Sequence, residues 1–280
     1  MKRTRLTITL RADIVKKLDH VIDGDKIRNR SHAIEHILKK ELTLTVHKAV
    51  ILAAGKGIHF RPFTYEMPKA MLPVKGRPLL EHIITHLREF DIRTIYIAVG
   101  YLREKIESYF GDGSKFGVSI TYVRQDKENV GTAGALKKCQ SAVGGEEAFF
   151  LIYGDVLTTI NYNDMVQSYE EHKDAAGIVA LTTSAQPELW GVATLKGHHI
   201  VGFTEKPTKR DAKSHLISAG IYVFNHRIFE YIQSRKKLSL EKDILPTLIA
   251  HEKLYGYLLE GDWYDVSTPE VYERVLKSWS

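Results

Sequence analysis

The stretch Leu52-Ala-Ala-Gly55-Lys56-Gly57-Ile58-His59-Phe60-Arg61-Pro62, followed by Pro68-Lys69 and Leu72-Pro-Val74, decides how the chain is read. The residues leading into it, Ala49-Val-Ile-Leu-Ala-Ala54, form an apolar run without alternation, as expected of a parallel strand buried on both faces. The run ends in a turn with two glycines, and Lys56, Arg61 and Lys69 lie in or just after it. Glycines let backbone N–H groups approach phosphate oxygens, and cations neutralise the phosphate charge. The stretch therefore fits a phosphate-rich ligand; as a bare turn it also fits a tight strand connection. Its spacing excludes a P-loop, which needs G-x-x-x-x-G-K-[ST]. It also excludes the dinucleotide fingerprint, because Phe60 stands where a third glycine is required.

Outward from this stretch, strand and helix patterns alternate. Pro78–Phe90 predicts an amphipathic helix with Leu79, Leu80, Ile83, Ile84 and Leu87 inward. Strands are expected at Thr94–Val99, Val118–Val123 and Ala148–Tyr153, and helices at Arg103–Phe110 and Thr132–Val143. This alternation predicts an α/β fold: a Rossmann-like, mostly parallel sheet with helices on both faces. Ligands then gather at the carboxyl ends of the strands, where the glycine turn sits. Tyr153-Gly154-Asp155-Val156 puts a carboxylate at such an end, and Asp265 follows Trp263-Tyr264. Each carboxylate alone also fits a turn or a capping role.

Composition sets the frame. In 280 residues, 44% hydrophobic and 26% charged content is ordinary for a globular protein. No apolar run approaches the roughly 18 residues of a membrane span, so no membrane partner and a cytoplasmic location are expected. Cys139 is the single cysteine, which excludes an internal disulfide and a cysteine-based zinc site. Net charge is +6, and residues 1–44 hold 11 of the 40 lysines and arginines but only 6 of the 34 acidic residues. The basic excess thus belongs to a small N-terminal segment, a pattern that suits a polyanionic partner.

Within that segment Thr4-Arg-Leu-Thr-Ile-Thr-Leu10 alternates: Leu6, Ile8 and Leu10 on one side, Arg5, Thr7 and Thr9 on the other. A helix is expected over Ala12–Asp23, ended by Gly24, and a second after Ser31 as N-cap, with Ala33, Ile34, Ile37, Leu38 and Leu42 as its stripe. One strand and two short helices bury too little core alone, so a homodimer or higher homo-oligomer is expected. The pattern over residues 3–42 resembles the ribbon-helix-helix DNA-binding family. The resemblance implies that paired strands enter the major groove with Arg5, Thr7 and Thr9 as readers, and that Ser31 at the second helix holds a backbone phosphate. A dimerisation strap without DNA fits the same residues. Two domains are expected, residues 1–44 and 48–280, with the joint near residues 43–47.

The ungapped block Leu52–Val74 resembles the signature of the sugar-1-phosphate nucleotidyltransferases, roughly L-A-A-G-x-G-T-R-L-x-P-x-T-x-x-x-P-K-x-x-L-P-V. Further pieces follow in family order: Gly131-Thr-Ala-Gly-Ala-Leu136, Trp190-Gly191-Val192, Glu205-Lys206-Pro207 and Ser218-Ala-Gly-Ile-Tyr222. The resemblance spans residues 48–278 and implies the nucleotide-diphospho-sugar transferase fold. It implies an NTP and a sugar 1-phosphate as substrates, with Mg²⁺ on Asp155 and Asp265. It assigns nucleotide contacts to Leu52, Ala53, Gly55, Gly57, Arg61, Lys69, Asp126, Gly131 and Thr132. It assigns the sugar phosphate to Gly191, Glu205, Lys206 and Ser218, and catalysis to Lys69, Asp155, Asp265 and the position of His59.

Three positions depart from the family pattern. Ile58-His59 replaces Thr-Arg, Ser218 replaces Asn, and Tyr153 replaces the Asn found in the subgroup. An arginine is a permanent, forked phosphate donor and a neutral histidine is neither. Two functions therefore stand side by side: a working nucleotidyltransferase, and a transcriptional regulator whose transferase-like domain binds a sugar nucleotide without turnover.

Overall fold

A computed structural model describes residues 7–42, 45–125, 131–145, 147–233 and 237–279, with side chains described to residue 38 in the first of these. The chain divides into two compact units, Met1–Leu44 and Thr45–Ser280.

In the first unit, helices Ala12–Asp19 and Arg30–Leu42 are joined through Gly24, whose φ of +78° suits the tight turn. The first helix stops short of the expected Asp23, and its C-cap is His20. The second starts one residue before Ser31. Its cap is Asn29, whose Oδ1 accepts the His32 N–H at 2.9 Å, so Ser31 sits exposed inside the first turn and does not cap. Asn29 precedes the helix and its side chain reaches the free N–H groups, as capping requires. Residues 7–10 form no strand and are exposed, and among the described residues of the unit none offers them a ladder partner. Arg30 grips Asp19 with two nitrogens at 2.7 and 2.8 Å, tying the helices together.

The second unit holds strands β1 (Lys48–Ala53), β2 (Pro73–Val74), β3 (Arg77–Pro78), β4 (Thr94–Val99), β5 (Ser119–Arg124), β6 (Phe149–Tyr153) and β7 (Val156–Thr158). It continues with β8 (Gly177–Thr183), β9 (Gly191–Lys196), β10 (His199–Glu205), β11 (Leu216–Phe224), β12 (Leu254–Leu258) and β13 (Trp263–Asp265). Among the described residues nine of these form one sheet, ordered β5-β4-β1-β6-β11-β8-β12-β10-β9. The first four strands run parallel, with Leu52 opposite Tyr153 and Ala53 opposite Val99.

The sheet, expected to be mostly parallel, is continuously parallel in that half; in the other half only β8 and β12 pair parallel. Strand β11 enters antiparallel to both β6 and β8, and β10 runs antiparallel to β12 and β9. The apolar run Ile217–Phe224 is buried throughout, so the long strand reads like a parallel one although its direction is reversed. The expected helix over Thr132–Val143 is two helices, Thr132–Lys138 and Gln140–Val143. The break is at Cys139, whose N–H bonds back only three residues to Leu136 at 2.9 Å. Cys139 itself is buried, and burial pushes its thiol up to about 12.

The core lies between sheet and helices. Val50, Leu151, Val179, Tyr222 and Phe224 from the strands pack with Leu136, Leu245 and Leu248 from the helices. Among the described residues no helix is long and apolar enough to cross a membrane.

Candidate active site

The carboxyl ends of β1 and β6 lie side by side, with that of β5 beyond β4 on the same parallel half, and loops leave from each. The loop after β1 turns at Gly57, whose φ is +58°. A Cβ there would lie 2.9 Å from Lys69 Cβ and 3.0 Å from Thr64 Cγ2, so glycine is required for both conformation and space. Thr64 Oγ1 donates to the Gly57 carbonyl at 2.7 Å and pins the loop. Lys69 opens a short 3₁₀ turn, Lys69–Met71, behind Pro68. The loop and the lysine are thus packed against one another rather than merely near in sequence.

Lys69 Nζ pairs with Asp155 Oδ2, both side chains being largely buried. Asp155 follows Gly154, whose N–H donates to the Leu52 carbonyl at 2.9 Å. Asp265 is brought in by the two-stranded ribbon of β7 and β13, where it faces Val156, and the Val266 N–H donates to the Asp155 carbonyl at 2.9 Å. Burial first, and then the neighbouring Asp155 charge, push the Asp265 carboxyl up to about 6. Lys69 and a hydrogen bond from Trp190 Nε1 to Asp265 Oδ2, 2.9 Å, act in the opposite direction.

Trp190 also reaches the other wall. Its carbonyl accepts the Lys206 N–H at 2.9 Å, and Gly191 stands opposite Glu205 in the β9–β10 register. Burial raises the Glu205 carboxyl, against the nearby Lys206 and Lys242 charges. Ser218 is buried within β11, its hydroxyl 3.0 Å from Tyr222 Oη.

On the side of β5, helix Thr132–Lys138 begins at Gly131. Thr132 Oγ1 donates to Glu241 Oε2 at 3.0 Å, and Tyr153 Oη donates to Glu241 Oε1.

The structure therefore brings together Leu52, Ala53, Gly57, Lys69, Asp155 and Asp265, with Gly191, Glu205 and Lys206 joined to them through Trp190. Gly55 and His59 are exposed on the loop. The Arg61 guanidinium lies over the Tyr65 ring, 4.9 Å from its centroid, rather than against the carboxylates. Thr7 and Thr9 are exposed in the first unit. Arg5 and Asp126 lie outside the described residues. Residue patterns alone do not pick out Trp190 as a carboxylate donor, or Glu241, because each acts through a partner distant in sequence.

The donor set can be tested against a metal. Two carboxylates share one lysine, and one of them is held in a site where its charge is costly, so a further cation offsets local negative charge. Carboxylate oxygens suit magnesium, which takes one or two of them and completes its shell with phosphate and water. Among the described residues no group of three or more His, Cys, Asp or Glu is placed to hold a metal. Asp155 and Asp265 thus offer oxygen ligands of the kind magnesium takes when phosphate and water complete its shell.

Fold and site together define a class of α/β protein. A glycine loop, a lysine and two carboxylates meet at the carboxyl edge of a parallel half-sheet, with a Glu–Lys wall opposite. Residues 48–279 match the nucleotidyl transferase family, and the chain belongs to that family. A UTP–glucose-1-phosphate uridylyltransferase of Synechocystis is 32% identical over 244 residues, 81% of this chain and 62% of that protein. A mannose-1-phosphate guanylyltransferase of Mycobacterium tuberculosis is 32% identical over 231 residues, again covering 81% and 62%. The chain thus spans about three fifths of the length of these relatives. Among solved structures, a UDP-glucose pyrophosphorylase complexed with UDP-glucose superposes with a TM-score of 0.72 at 25% identity, covering 84% of this chain and 98% of that one.

Proposed function

We propose that residues 48–280 form a nucleotidyltransferase domain that makes an NDP-sugar and pyrophosphate from an NTP and a sugar 1-phosphate. The observation that carries this reading is the meeting of Lys69 with Asp155 and Asp265 behind the Gly57 loop. A phosphate oxygen of the sugar 1-phosphate attacks the α-phosphorus of the NTP in line. The bond to the β-phosphate breaks, and pyrophosphate leaves. Such a reaction asks the protein for positioning and charge neutralisation more than for covalent chemistry.

Backbone N–H groups of Gly55 and Gly57 cradle the NTP phosphates, and Arg61 and His59 border the loop they occupy. Lys69 binds the α-phosphate and holds it opposite the incoming oxygen. Asp155 and Asp265 hold Mg²⁺, which when bound neutralises charge on the phosphoryl oxygens. Base contacts fall to Gly131 and Thr132, and by the family pattern to Asp126, with Leu52 and Ala53 lining the floor. Gly191 and Glu205 meet the sugar hydroxyls, Lys206 takes the sugar phosphate, and Ser218 shapes the wall through Tyr222. The relatives include a uridylyltransferase and a guanylyltransferase, which supports the reaction class across different bases.

The first unit supplies self-association and DNA contact in the same reading. Leu18 and Ala33 are its buried hydrophobic residues among those described, whereas Ile8, Leu10, Ile14 and Leu38 are 39–51% exposed. Apolar surface on so small a unit is covered by pairing with a second copy, as in a ribbon-helix-helix dimer. Arg5, Thr7 and Thr9 then face the DNA. A second reading, a regulator that binds a sugar nucleotide without turnover, is favoured by His59 in the arginine position.

A panel of the five common NTPs crossed with sugar 1-phosphates, with Mg²⁺ and pyrophosphate detection, tests the first reading. Release with a preferred pair is expected. Nucleotide-sugar binding with no release from any pair favours the regulator.

A further inference from the structure

Glu241 is a half-buried carboxylate to which the roles above give no task. It sits at the start of the π-turn Leu240–Ile244, far along the chain from the groups that bind it. Oε1 accepts from Tyr153 Oη, and Oε2 accepts from Thr132 Oγ1 at 3.0 Å and Ser239 Oγ at 2.7 Å. A carboxylate offers about four acceptor positions, and three hydroxyl protons fill most of them.

The Thr132 hydroxyl is committed in both directions. It receives the Leu240 N–H at 2.8 Å, so its own proton is left for Glu241. The Ala133 N–H adds a bond to the Leu238 carbonyl at 3.1 Å. Gly131 has φ +134°, and a Cβ there would stand 2.2 Å from that same carbonyl oxygen. The loop that opens helix Thr132–Lys138 is thus stitched to residues 238–241 along its whole turn. Tyr153 lies two residues before Asp155, at the end of β6. One carboxylate therefore joins the loop assigned to the base with the strand end that carries a catalytic carboxylate.

We infer that Glu241 is a positioning residue, which locks the Gly131–Ala133 loop to the Tyr153–Asp155 strand end and so fixes the nucleotide base relative to its α-phosphate. The inference rests on the nucleotidyltransferase reading. Its cost scale follows from geometry, because a misplacement of about 1 Å between reacting groups lowers rates about 10²-fold. A glutamine is nearly the same shape, but it removes the charge and puts an NH₂ in place of one acceptor oxygen, so it weakens the lock without opening a cavity. Tyr153→Phe removes the strand-side arm and leaves the loop-side arm in place.

The test uses the full chain. In E241Q, kcat/KM for the preferred NTP is expected to fall about 10–100-fold, while KM for the sugar 1-phosphate stays within about twofold. In Y153F, kcat falls and KM for the NTP changes little. The double variant loses no more than E241Q alone, because both changes cut one linkage. Calorimetric titration with the same NTP keeps the two readings apart. If the wild type releases no pyrophosphate yet binds the nucleotide, and E241Q binds it about tenfold more weakly, the transfer reading fails and the positioning role stands. If the wild type turns over and both single variants match it in kcat and KM, with only a lower Tm, Glu241 is a fold clamp and the inference is overturned. Absence of nucleotide binding to the wild type overturns both. If E241Q does not fold, Y153F alone decides through the split between kcat and KM.

Discussion

At the scale of single residues, Lys69 joins two functions that the fold had to satisfy together. Its Cβ packs so closely under Gly57 that the glycine cannot be replaced without moving the loop, and its ammonium pairs with Asp155. Lys69→Met keeps the length of the stem and removes the charge. It is expected to lower kcat about 10²–10³-fold, the usual cost of losing one group that stabilises the transition state. Stopped pyrophosphate-release assays check this, and a loss below tenfold contradicts the role. Lys69 and Asp155 were legible in the sequence because each sits inside a contiguous block, Pro68-Lys69 or Gly154-Asp155, next to an apolar strand. Trp190 and Glu241 were not legible. Trp190 serves Asp265 across 75 residues, and Glu241 serves Tyr153 and Thr132 across 88 and 109, so no spacing rule relates them.

At the scale of elements, the parallel strands β1, β4 and β6 announce themselves by apolar runs separated by helical periodicity. The reversal at β11 does not, because a strand buried on both faces carries no mark of its direction. The Ser31 cap was misplaced for a related reason: Ser and Asn both satisfy an N-cap, and only the chain path selects Asn29. One helix contact gives a pH prediction. On helix Leu79–Glu89, His82 Nε2 donates to the Val74 carbonyl at 2.9 Å and Nδ1 accepts the Trp279 indole N–H at 3.3 Å. The bond accepted at Nδ1 needs the neutral ring, and burial holds the pKa below the ordinary value although the Nε2–H bond to Val74 acts the other way. The folded state therefore binds fewer protons than the unfolded state, whose histidine titrates near 6.5. Stability supplied by this contact is intact above about pH 6.5 and is lost as pH falls below it. Thermal melts between about pH 7.5 and 5.5 should show a steeper fall in Tm for the wild type than for His82→Gln. Parallel curves for the two proteins contradict the assignment.

At the scale of the whole molecule, charge and function divide between two units. The first 44 residues carry nearly all of the net positive charge, and the proposed phosphate chemistry belongs to the second unit. The uncovered Ile8 and Leu10 predict a dimer held through the first unit. Changing both to Asp in the full chain should shift light-scattering mass from dimer to monomer, and an unchanged dimer locates the contact elsewhere. Duplex binding by the wild type should weaken steeply with salt, as phosphate contacts require, and Arg5→Ala should weaken it while the dimer persists. The central claim, that the loop, the lysine and the carboxylate pair transfer a nucleotidyl group, is tested most directly by ³¹P NMR of the wild-type chain with Mg²⁺, an NTP and a sugar 1-phosphate. The predicted result is the loss of both substrates matched by equal growth of the coupled diphosphate signals of an NDP-sugar and of pyrophosphate. Unchanged spectra for every pair, in a protein that still binds the nucleotide, would contradict it.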